Sequence, residues 1–119
     1  MESTAIEFRY SCLEILKFLS SPIEQVQFAS HVEYTDYKCE FVSWWFDDLA
    51  MESLPKGTDL INQSFSKSEK LTLCEFTNIF TQNISSEVQS ISELLKTYQW
   101  QHVIESAKVA LDKISVKLI

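Results

Sequence analysis

Residues 37–52 read Tyr37-Lys38-Cys39-Glu40-Phe41-Val42-Ser43-Trp44-Trp45-Phe46-Asp47-Asp48-Leu49-Ala50-Met51-Glu52, and the fold class turns on whether this stretch is helix or strand. Its aromatics and valine would suit a buried strand over 39–46. Helical spacing, however, gathers Cys39, Val42, Trp45, Phe46 and Leu49 on one side, and a period of two does not. The spacing predicts a helix over 37–52, capped by Asp36 or Thr35.

At about 100° per residue, the buried side of that helix centres between Val42 and Leu49. Opposite it lie Glu40, Trp44, Asp47 and Met51, with Asp48 adjoining. A solvated helix face seldom carries a Trp and a Met. An exposed aromatic flanked by carboxylates suits a protein interface: the Trp anchors and the acids steer a basic partner. The other reading is that a neighbouring helix covers this face and Trp44 is ordinary core.

Working outward, residues 4–20 place Ala5, Phe8, Cys12, Ile15, Leu16 and Leu19 on one face of a helix. Ser21-Pro22-Ile23-Glu24 reads as a capping box with proline at the first helical position, opening a short helix to about Ser30. Residues 53–65 contain Pro55 and Gly57 and read as a loop. Ser66-Lys67-Ser68-Glu69 is a second capping box, with Leu73, Phe76 and Phe80 as the stripe of a helix to about Thr81. Ser90-Ile91-Ser92-Glu93 is a third, leading into Leu94 and Leu95. The closing helix, 98–116, carries Trp100, Val103, Ile104, Ala107, Ala110, Leu111 and Ile114 on one stripe. With one glycine, two prolines and no Asn-Gly turn, hairpins are disfavoured. The expectation is an all-α, single-domain bundle of five to six helices over 1–119.

The net charge of −7 lies wholly in residues 1–53, where ten acids face three bases. Seven acids and seven lysines balance in the remainder. Such a field repels nucleic acid and anionic lipid and attracts a basic protein, although acidic charge also serves solubility. Cys12, Cys39 and Cys74 form no C-x-x-C and read as reduced, buried thiols of a cytoplasmic protein. The stretch Met1-Glu2-Ser3-Thr4 lacks the basic residues of a signal peptide, and Glu14 and Lys17 interrupt the best apolar run.

Sets of catalytic groups are scarce. His102 and Glu105 stand at i, i+3, but no second pair is present to complete a metal site, so His102 reads as a polar surface residue. Asp47 and Asp48 point about 100° apart on a helix and form no acid–base dyad. A single glycine cannot supply a phosphate loop, a dinucleotide fingerprint or a nucleophile elbow. The expectation is a binding protein with no catalytic, cofactor or metal site.

The acidic, Trp-containing segment Trp44-Trp45-Phe46-Asp47-Asp48-Leu49 is followed by a loop, then by Phe65-Ser66-Lys67-Ser68-Glu69 with Leu73 and Phe76. A closing amphipathic helix begins near Trp100-Gln101-His102-Val103. That order resembles small bacterial immunity proteins encoded beside secreted toxins, including those of contact-dependent growth inhibition systems. The resemblance implies a cytoplasmic antitoxin that binds one toxin domain, often a nuclease, and blocks its active site. It transfers no individual residue role. Two rivals are an acidic adaptor subunit of a larger assembly and a bundle holding a small apolar ligand among its many aromatics.

Overall fold

The computed structural model describes residues 3–32, 36–84 and 90–116; the alternative cap Thr35 lies outside them. Among the described residues every regular element is helical, as expected. The elements are α1 (Ser3–Leu19), α2 (Pro22–His31), α3 (Tyr37–Val42), a π-helical segment (Ser43–Asp48), a 3-10 turn (Met51–Ser53), α4 (Asp59–Ser64), α5 (Lys67–Gln82), α6 (Ile91–Lys96) and α7 (Tyr98–Val116). None is long and apolar enough to cross a membrane.

The helix starts follow the sequence signals. The Ser21, Ser66 and Ser90 hydroxyls each accept from the backbone N–H three residues on, and Asp36 does the same for Cys39. Only at Ser66 is the reciprocal bond from the cap N–H to the Glu69 carboxylate also present, which completes a capping box. Thr58 caps α4, a helix inside the stretch that reads as loop. At six residues α4 is too short to show a period, and Pro55 and Gly57 dominate the local signal. Gly57 sits at φ +76°, where a side chain would be strained.

α7 packs along α1 and α5, and α1 also meets α4. Between them lies one cluster of buried side chains that includes Leu16, Phe41, Trp45, Phe76, Phe80, Trp100 and Ile104. Its rings form a chain: Phe41 stacks on Trp100 at 5.8 Å, Trp100 meets Phe80 at 5.8 Å, Phe80 meets Phe76 at 5.7 Å, and Phe76 meets Trp45 at 5.1 Å. Two buried polar side chains lock the helices around it. Gln25 donates to the carbonyls of Phe18 and Leu19 and accepts from the Trp100 indole at 2.9 Å. The Trp45 indole donates to Thr77 at 2.9 Å.

The segment that decides the fold is helical but not uniformly α. Leu49 N–H bonds to the Trp44 carbonyl at 3.2 Å, an i→i−5 closure that widens the turn. The buried apolar positions from 37 to 49 are Tyr37, Phe41, Trp45 and Leu49, one every four residues, with Lys38 buried beside the first. The segment carries three consecutive aromatics. Trp44 packs toward Phe18, Phe28 and Phe41, Trp45 toward Phe76, and Phe46 toward Phe80. Ala50 then adopts a left-handed conformation at φ 57° and ends the run. Two expectations about this segment fail. Cys39, assigned to the buried stripe, is exposed, and Met51, assigned to the outer face, is fully buried. Met51→Ala is therefore expected to cost about 2–5 kcal/mol of stability, read from chemical denaturation.

Candidate partner-binding groove

α1 and the π-helical segment enclose a groove of about 400 Å³ lined by Tyr10, Ser11, Glu14, Ile15, Trp44, Asp48 and Leu49. Each wall follows from local winding. On α1, Glu7, Tyr10 and Glu14 share one face at i, i+3 and i+7, opposite the face that buries Cys12, Leu16 and Leu19. On the facing wall, the four-residue repeat brings Asp48, rather than Asp47, into line with Trp44.

The sequence-predicted surface is thus partly assembled and partly dispersed. Trp44 and Asp48 line the groove, and Met51 leaves it for the core. Glu40 is half-buried and Asp47 exposed, and neither lines it; Asp47 accepts from the Ser43 hydroxyl at 3.4 Å. Trp44 satisfies both sequence readings in part. Phe18, Phe28 and Phe41 hold its ring at centroid distances of 5.2, 5.1 and 5.4 Å, while its remaining surface opens into the groove.

Sequence reasoning missed the α1 wall. A signal was available, because Tyr10 lies between Glu7 and Glu14 on the polar side of an amphipathic helix. Tyr10 is 66% exposed and is an aromatic of α1 that lines the groove. Ile15 and Leu49, more deeply buried, form the floor, and the Glu14 and Asp48 carboxylates are exposed at the rim. Among the described residues neither carboxylate is ion-paired. All seven lining residues come from the half of the chain that holds the net charge.

Elsewhere the chemistry is quiet. His102 and Glu105 are exposed along a smaller groove of about 280 Å³ between α5 and α7, which Glu75 and Lys113 also line. No group of three or more potential metal ligands gathers among the described residues. The three cysteines are free, as expected, but only Cys12 is buried. Burial pushes the Cys12 thiol up to about 12. The Asp36 carboxylate that accepts from Cys39 raises that thiol, and burial raises Cys74. Thiols shifted in this direction stay protonated at neutral pH and are weak nucleophiles.

Fold and groove together define a class: a helical bundle that presents aromatic rings beside carboxylates with no ion pair among the described residues. No protein-family model, curated protein or solved structure matches the chain.

Proposed function

We propose that this chain is an immunity protein that captures a cognate toxin domain through the α1–π groove and blocks it by stoichiometric occlusion. One observation carries the reading: Tyr10 and Trp44 line one groove with Glu14 and Asp48, whose carboxylates have no ion pair among the described residues, in the acidic half of the chain. A toxin that cleaves nucleic acid needs a cationic cleft for phosphate, and an acidic groove complements one. The acids steer encounter, and the aromatics, losing water on contact, slow release.

The test is co-expression with the product of the neighbouring gene. The expected result is a one-to-one complex on size-exclusion chromatography and survival of cells that otherwise die. Finding neither a complex nor protection overturns the proposal. A complex without protection favours the adaptor reading instead.

Two sets of variants locate the surface. Changing Glu14 and Asp48 together to Lys is expected to slow association by about tenfold at low salt, with the gap closing as salt rises. Trp44→Ala should weaken binding by roughly 2 kcal/mol. It also removes packing against three rings and so destabilises the free protein. Tyr10→Ser, on an exposed position, provides the control that leaves the fold intact.

A further inference from the structure

We infer that the α1–π groove is a socket for an arginine side chain of the partner, an assignment that rests on reading the groove as the partner-binding surface. The volume of about 400 Å³ admits one or two long side chains but not a packed helix. What such a side chain meets there is chemically specific. The indole of Trp44 opens into the groove with its orientation set by Phe18, Phe28 and Phe41, so little ring freedom is lost on binding. Tyr10 adds a second aromatic on the opposite wall. Tryptophan is the best of the aromatic faces for a cation, and a planar guanidinium can stack on it while forking toward carboxylates. Glu14 stands on one wall and Asp48 on the other, both exposed and neither ion-paired among the described residues.

The chain pairs a guanidinium with a ring and a carboxylate within itself at Arg9. Arg9 lies 5.1 Å from the centroid of the Phe65 ring and donates to both carboxylate oxygens of Glu69, at 3.0 and 2.7 Å. The groove offers two of the same elements, an aromatic ring and carboxylates, beside the apolar side chains of Ile15 and Leu49. A lysine would supply charge but neither the planar stack nor the fork. An apolar anchor would leave two carboxylates without a counter-charge as water was excluded.

The experiment is an NMR titration of the full chain with three blocked tripeptides, Gly-Arg-Gly, Gly-Lys-Gly and Gly-citrulline-Gly. Citrulline keeps the planar shape and removes the charge. The arginine peptide is expected to shift the Trp44 indole N–H and the backbone amides of residues 10–15 and 44–49 to saturation. The lysine peptide should bind roughly fivefold more weakly at the same resonances, and the citrulline peptide should not bind. Glu14→Gln with Asp48→Asn, both at exposed positions, should remove the arginine response. Equal binding of arginine and lysine, shifts centred outside the groove, or an unchanged response in that double variant each overturns the assignment. The toxin-capture reading fails separately. Capture through the groove without arginine preference overturns only the socket, and arginine-selective shifts with no captured partner overturn only toxin capture.

Discussion

Arg9→Ala is expected to destabilise the fold by about 3–5 kcal/mol, a large share of the stability of a domain this size, read as a lower denaturant midpoint. Arg9 reaches from α1 to the start of α5, where it pairs with Glu69 through two hydrogen bonds, bonds the Ser64 carbonyl at 3.0 Å and covers the Phe65 ring. Both charged side chains are largely buried, so removing one strands the other where water cannot compensate. Glu69→Ala should cost at least as much, because the same carboxylate accepts from Ser66 N–H and completes the α5 capping box.

The pair also sets an acid limb. The Arg9 guanidinium, donating to the carboxylate, holds Glu69 at about 2, against an ordinary value of 4.5. A depressed carboxylate contributes stability above its unfolded value and loses it as pH falls toward the folded one. About 3 kcal/mol should therefore disappear between roughly pH 5 and pH 2 in the native chain. Arg9→Ala should flatten this dependence. An acid limb of the same slope in that variant would show that other carboxylates carry it.

Gln25→Leu is expected to cost about 3–4 kcal/mol although it exchanges a polar core residue for an apolar one of similar size. Gln25 is fully buried and bridges three helices. Leucine would leave the buried Trp100 indole N–H without its acceptor and the Leu19 carbonyl without the Gln25 amide, while the Phe18 carbonyl keeps the Ser21 N–H. Gln25→Glu separates the contributions. It keeps an acceptor for Trp100 but offers no amide donor to α1 and buries a carboxylate, so it should be no better tolerated. A Gln25→Leu protein as stable as the native chain would mean that those groups find other partners.

Much of this protein was legible because its signals are local. Ser21, Ser66 and Ser90 announce helix starts, since a hydroxyl before a helical run satisfies an amide that the helix leaves unpaired. The stripe from Trp100 to Ile114 on α7 is largely buried as its period implies, with only Leu111 partly exposed. The acidic bias of residues 1–53 is a property of the sequence alone.

The candidate groove was not legible to the same degree. Trp44 and Asp48 lie both on the predicted face and in the groove, but the straight α-helical projection placed Met51 on the outside and kept Asp47 in line. One i→i−5 turn and a left-handed Ala50 shifted that phase, and both arise where three adjacent aromatics find separate neighbours on distant helices. Tyr10 and Glu14 belong to the groove only because α1 packs beside the π-helical segment. Sequence by itself determined helical class, capping and charge, which depend on residues a few positions apart. Tertiary structure decided the π turn, the Arg9–Glu69 and Gln25–Trp100 locks and the groove, because each joins residues far apart in the chain or depends on packing against such residues.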